Sequence, residues 1–254
     1  MRTTFCLSRH CSQISHILSA MLLAAAASLC FAADDAQTIL EKSDQIRFPK
    51  EGFQVDVKVT STGSVDGSKK YRILSKGNDN TIVLITEPAS ERGQKLLMKG
   101  RDLWVFLPNV SQAVRLGLSQ RLTGQVANGD LARANFTGDY TPAILRSEKI
   151  DGETYNVLEL SAVDRGVTYA KVLYWVHQGK NWPHKAEFYS LSEKLIKTCY
   201  YEKYEMLGGK VRPTRLVMED ALKKGEKSVL DYEDMKLKEL PDRIFTKQYL
   251  EKLD

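Results

Sequence analysis

The chain has 254 residues, 27% of them charged, with a formal net charge of +5 and four Cys. That length allows one domain of about 200 residues or two small ones. The mild positive balance is too small to argue for nucleic acid. Cys199, the sole Cys after residue 30, leaves no intrachain disulfide in the bulk of the chain.

Residues 1–33 read as a cleavable secretory signal. Arg2 and Arg9 give a basic start without acids, and residues 17–29 form an Ala-rich apolar run too short to span a bilayer comfortably. Cys30-Phe-Ala32 places small residues at the two positions that guide a cut after Ala32, and a cut after Ala33 is nearly as good. A retained membrane anchor and lipidation at Cys30 are the rival readings; Leu29 is bulky for the residue before a lipidated Cys. Export with a lone Cys199 means that packing alone holds the core. Cys199 is expected as a half-buried strand residue, not a nucleophile. These features together fit a Gram-negative periplasm.

Residues 34–47 read as a short helix with two acids at its start and Pro49 beyond its end. Ile39, Leu40, Ser43 and Ile46 share one side. This narrow apolar face suits a helix lying over something. The period then changes to two. Phe53, Val55, Val57 and Val59 fall on one face, and Gln54, Asp56, Lys58 and Thr60 on the other. Further strands are expected at 71–75, 81–86, 94–98, 101–107 and 114–116, joined by polar or Gly turns. The run Leu103-Trp-Val-Phe-Leu107 is apolar on both faces, so something must cover its second side. Leu103, Val105 and Leu107 share one face, Trp104 and Phe106 the other.

Residues 117–150 break the pattern. Residues 117–136 read as a long loop with helical turns near 119–126 and 130–135, and a loop this long inside a domain is usually a functional lid or a mobile segment. Strands resume at 155–163, 167–177, 184–191, 196–206, 212–220 and 227–237, and a short helix at 246–253 closes the chain. About ten or eleven strands at hairpin spacing, with helices too few and short for crossovers, describe a mainly β protein with one curved antiparallel sheet or open barrel.

Motifs for chemistry are absent. Gly117-Leu-Ser-Gln-Arg121 lacks the second Gly of a nucleophile elbow, and there is neither a phosphate loop nor a dinucleotide fingerprint. His177 and His184 flank a hairpin turn without further metal ligands placed by spacing. Asp220, Asp231, Glu233 and Asp234 read as solvated strand faces. Tyr200-Tyr-Glu-Lys-Tyr204 could form a nucleic-acid platform, which the export signal argues against. No cofactor, metal or catalytic residue is expected.

Several short stretches occur together and in order: Asp102-Leu-Trp-Val-Phe-Leu-Pro108 followed by Arg115, Gly138-Asp-Tyr140, Leu173-Tyr-Trp-Val176, Pro183-His-Lys-Ala-Glu-Phe-Tyr189, Glu193-Lys-Leu-Ile-Lys197, Gly208-Gly-Lys-Val-Arg-Pro213, Met218-Glu-Asp220 and Pro241-Asp-Arg-Ile-Phe-Thr246. On these residues the chain from Asp34 on resembles the outer-membrane lipoprotein-sorting protein family, the superfamily of the periplasmic carrier LolA. Within it the chain more closely resembles a branch of uncharacterised members often encoded beside resistance-nodulation-division export pumps. None of the stretches is catalytic. Many members of that branch carry a more basic, Ser/Gly-rich stretch where this chain has residues 117–129. The departure puts in doubt that the same partner reads that region.

The resemblance implies a single domain over residues 34–254, an incomplete antiparallel β-barrel whose open side is covered by short α-helices, with an apolar cavity for acyl chains between them. It implies a periplasmic carrier of a lipid or of lipoprotein acyl chains, with an inner-membrane export pump and an outer-membrane acceptor as possible partners. Such a carrier has a physical purpose: about 15 methylenes exposed to water cost roughly 12 kcal/mol. The expected cavity lining is Val55, Val57, Leu84, Leu97, Leu103, Val105, Leu107, Leu122, Val126, Phe136, Leu173, Trp175, Tyr200 and Tyr204. The alternatives are a non-carrier envelope module docking on an export pump or a membrane surface, and a lipid-cleaving enzyme.

Overall fold

In the computed structural model, residues 34–252 are described except Val65, Asn109 and Ser111; the expected leader, residues 1–33, lies outside the described residues. Helix α1 (Ala36–Arg47) begins where the Asp35 carboxylate accepts a hydrogen bond from Thr38 N at 2.7 Å. It stops at Phe48, which is extended because Pro49 follows. The first arm of the sheet comprises β1 (Phe53–Thr62), β2 (Gly67–Lys76), β3 (Asn80–Glu87), β4 (Lys95–Lys99), β5 (Asp102–Phe106) and β6 (Val114–Leu116). A small ribbon, β7 (Arg121–Thr123) with β8 (Val126–Ala127), leads into helix α2 (Asn128–Ala132). The second arm is β9 (Tyr140–Ile150), β10 (Glu153–Ala162), β11 (Lys171–His177), β12 (Pro183–Tyr189), β13 (Leu195–Leu207), β14 (Lys210–Asp220) and β15 (Lys227–Leu237), before helix α3 (Lys247–Glu251).

The two arms make one 13-stranded sheet in the order β6-β5-β4-β3-β2-β1-β15-β14-β13-β12-β11-β10-β9. Every neighbouring pair is antiparallel, and β1 and β15 form the seam from Phe53↔Leu237 to Thr62↔Lys227. The edges β6 and β9 do not pair, so the sheet is curved but not closed. This is the mainly β, open-barrel class that the period of two predicts.

The inner face carries the main core. Val55, Val57 and Val59 on β1, Tyr71 and Ile73 on β2, and Leu158 and Leu160 on β10 are at most 3% exposed. Their neighbours in sequence face outward; Asp56, for example, takes a two-pronged ion pair from Arg72, both contacts at 2.7 Å. Helix α1, the ribbon and α2 lie on this inner side, burying Ile39, Leu40, Val126 and Leu131 in the same core.

A second, smaller core sits on the outer face of β3–β5. Leu240, Ile244, Phe245 and Leu250 of the C-terminal segment pack there on Ile82, Leu97 and Phe106, bordered by Leu74, Leu84 and Trp104. Strand β5 is therefore apolar on both sides because both sides are covered. Leu103 and Val105 face the main core, and Trp104 and Phe106 lie under the C-terminal segment. Lys247 stands 4.3 Å from the Trp104 ring centroid.

Three expectations about elements need correction. Residues 140–150, where no strand was expected, are strand β9. It is an edge strand with Pro142 near its start and mostly exposed side chains, so it shows no apolar period. Residues 121–127 form a ribbon and not a helical turn, because Gly124 at φ +48° makes a tight reversal. On α1, the buried face includes Asp44 and Arg47, while Ile46 is only half-buried.

Candidate functional site

The concave interior is filled, and several of its fillers are charged. Asp44 on α1 accepts from Phe136 N at 3.0 Å, and from Thr137 N and Thr137 Oγ1 at 2.7 Å each. Burial pushes its carboxyl above the usual value, against the opposing pull of Arg47 and these donors. Arg47 donates to the Ala134 carbonyl, and its guanidinium lies 4.5 Å from the Phe136 ring centroid. Ser43 and the Tyr174 hydroxyl share a hydrogen bond of 2.8 Å. Arg212, 1% exposed, donates to the Gln45 and Ile46 carbonyls at 2.8 and 3.0 Å and so caps the C-terminus of α1.

The segment 117–139 is pinned at both ends. On one side Lys197 of β13 donates to Asp130 of α2 at 2.8 Å and to the Gln125 carbonyl at 2.7 Å. Tyr169 OH donates to the same carboxylate at 2.8 Å. On the other side Arg133 holds Asp139 and Asp79 and donates to the Asn78 and Gly100 carbonyls. Arg101 adds contacts to Asp139 and the Gly138 carbonyl, each at 2.9 Å, and an ion pair with Asp164. Among the described residues, voids lie beneath this segment at Arg47, Phe136 and Tyr201 and at Phe48, Ile73 and Leu131. Each holds about 20 Å³, room for roughly one water.

The open space lies at the rim. A groove of about 440 Å³ runs between Ser119 and the β10–β11 and β12–β13 turns. Its lining is mostly apolar, with Ala162, Val167, Tyr169, Ala170, Leu191 and Ile196. A second groove of about 270 Å³, bordered by Arg121, Val126, Lys197 and Leu222, shares Ser119, Tyr169 and Ile196 with the first. The larger volume is within the range of ordinary small-molecule sites.

The expected lining residues do not gather in one place. Val55, Val57, Leu103, Val105 and Leu122 pack in the filled main core. Phe136 borders a one-water void, and Val126 borders the smaller rim groove. Leu84 and Leu97 lie on the opposite face under the C-terminal segment, which corrects their placement. Leu173, Trp175 and Tyr200 are also on the outer face, alternating with the inward Val172, Tyr174, Val176, Cys199 and Tyr201. Trp175 stacks there under Lys185 at 3.8 Å and donates to Glu148 at 3.2 Å. Leu107 lies past the end of β5, and Tyr204 stacks on Trp182 with ring centroids 4.3 Å apart. A shift of one residue turns every side chain of a strand over, and aromatic content alone does not say which face is inner.

Apart from Val126, the rim residues were not among the expected lining. They sit in turns and strand ends, where no period marks them. Cys199 is fully buried rather than half-buried, and burial pushes its thiol up to about 12. His177 contacts Glu153 at 3.0 Å. Among the described residues, no group of three or more His, Cys, Asp or Glu could hold a metal.

The crystal structure of a LolA superfamily protein from Nitrosomonas europaea is 63% identical to this chain, covering 85% of it and 100% of that protein, with a TM-score of 0.82. The chain belongs to the LolA superfamily. A family model described as that of an uncharacterized protein matches residues 77–252. An outer-membrane lipoprotein-sorting protein domain from Vibrio parahaemolyticus shares the fold at 20% identity, with a TM-score of 0.72 over 85% of this chain and 98% of its own. A DUF1329 family protein from Desulfovibrio piger does so at 21% identity, with a TM-score of 0.70 over 85% and 100%. The comparison with curated proteins gave no match. The LolA-like fold here thus combines a filled interior with an apolar groove at its rim.

Proposed function

We propose that this LolA superfamily chain is a periplasmic carrier, not an enzyme, and that it holds an acyl chain of a lipid or lipoprotein in the rim groove. The observation that carries this reading is the apolar groove of about 440 Å³ beside the pinned segment 117–139. Family membership supports it, as does the shared fold of the Vibrio lipoprotein-sorting protein domain. The groove needs only shape and water exclusion, since removing a methylene from water is worth about 0.8 kcal/mol without any charged centre. The interior voids are too small to take a chain while Lys197 and Arg133 hold the segment down. A chain that entered more deeply would have to displace the segment. In this proposal the leader at residues 1–33 exports the chain, and donor and acceptor are the pump and outer-membrane partner that the resemblance implies.

The test is extraction of protein purified from the envelope without detergent, followed by mass spectrometry, alongside displacement of a fluorescent fatty acid. The wild type is expected to carry stoichiometric lipid. Ala170→Trp, which fills the groove, is expected to lose both lipid and probe binding. Absence of lipid above background, with probe binding indifferent to Ala170→Trp, would sink the reading.

A further inference from the structure

The antiparallel order puts the β10–β11, β12–β13 and β14–β15 turns side by side at one end of the sheet, the end where both rim grooves open. Each turn repeats one pattern: an exposed apolar residue, then a basic residue within three positions. They are Val163 with Arg165, Leu191 with Lys194, and Leu222 with Lys223 and Lys224. Leu191 is 79% exposed, more than any other large apolar side chain among the described residues; Leu222 is 66% and Val163 49% exposed. Adjacent hairpin tips lie two strands apart, about 10 Å, so the three form a row of roughly 20 Å.

The four acids of these tips are all engaged. Asp164 pairs with Arg101, Glu193 with Lys171, and Glu226 with Lys223. Asp220 caps the backbone of Leu222 and Lys223. Arg165, Lys194 and Lys224, with Arg121 at the smaller groove, have no ion pair among the described residues. The row therefore presents apolar tips separated by free cations.

We infer that this end of the molecule docks on the surface of an anionic phospholipid bilayer, with Leu191, Leu222 and Val163 entering the headgroup region and the neighbouring cations lying on lipid phosphates. Charge complementarity favours a bilayer over a protein. A protein interface needs a contiguous, packed apolar centre, whereas these tips stand singly on separate hairpins. Single apolar anchors flanked by Lys and Arg match the composition of a bilayer interface. Docked this way, the groove opens toward the lipid phase, and an acyl chain crosses from bilayer to carrier with little exposure to water. The docking deepens the carrier reading and rests on it for the purpose of the contact, not for the contact itself.

The experiment is sedimentation of the full chain with vesicles of phosphatidylglycerol and phosphatidylethanolamine, compared with phosphatidylcholine vesicles, at low and high salt. The wild type is expected to partition to the anionic vesicles only, and less so at high salt. Leu191→Ser with Leu222→Ser is expected to reduce partition about tenfold. Val163→Ser with Lys194→Gln and Lys224→Gln, none of which lines a groove, is expected to reduce it by about fivefold per cation while leaving fluorescent fatty-acid binding in solution unchanged. No partition of the wild type, or partition unaltered in both variants as for a row that meets a protein, overturns the docking. Fatty-acid binding without vesicle binding fails the docking alone, and vesicle binding without fatty-acid binding fails the carrier reading alone.

Discussion

Lys197 crosses from β13 into the main core and ends on Asp130, with both side chains at most 7% exposed. Such a pair adds little over apolar residues of the same shape, but breaking it leaves a buried charge alone. Lys197→Met is therefore expected to destabilise the protein by about 3–5 kcal/mol in urea denaturation. Adding Asp130→Asn to that variant should restore part of the loss, because no uncompensated charge then remains. A single-variant cost below about 1 kcal/mol would mean that water reaches the pair. Neither partner was legible as a core residue. None of Lys197, Asp130, Asp44 and Arg47 was expected in the core, since nothing local signals that a charge is buried and matched. The alternation in residues 103–107 was legible. Which of its two faces met which core was not.

The ribbon shows how an element can depend on a distant contact. Gly124 sits at φ +48°, and a Cβ there would come within 2.1 Å of Ser61 Oγ and 2.3 Å of Ser228 Oγ. These two hydroxyls share a hydrogen bond of 2.9 Å, and Ser228 also accepts from Gln125 N. Gly124→Ala is expected to lift the ribbon off the seam between β1 and β15, at a cost of about 1–3 kcal/mol. Limited proteolysis would report it as faster cleavage within residues 117–135, with sites in the sheet unchanged. From sequence this stretch was a loop with helical turns, because the reasons for the ribbon lie on β1 and β15. Strand β9 escaped for a related reason: an edge strand packs on one neighbour only and carries no apolar stripe. The helix near residues 246–253 was readable, but that it covers Trp104 was not.

At the scale of the molecule, a groove that takes a ligand only in the folded state ties stability to occupancy. At a ligand concentration of about 100 Kd this linkage amounts to about 2.7 kcal/mol. For a compact unit spanning residues 35–254, that is a rise in Tm of roughly 5–10 °C over delipidated protein. Differential scanning calorimetry of delipidated protein with added fatty acid would measure it, and Ala170→Trp should abolish the rise. An unchanged Tm with saturating fatty acid would argue against a groove that binds only in the folded state.

The sequence by itself determined the fold class. A side-chain period of two, interrupted by turn residues at hairpin spacing, is a local property and leaves an antiparallel meander as the economical arrangement. It also carried the family, through short stretches spread along the chain in order. Only the tertiary structure decided where open space remains. The inner face is closed by α1 and by charged residues paired across more than 60 positions, such as Lys197 with Asp130. The outer face of β5, apolar without evident cause in the sequence, is closed by the C-terminal segment. What stays open is the rim, where three hairpin turns distant in the chain come side by side. Cavities and surfaces are made by contacts between residues far apart in sequence, and no local pattern encodes them.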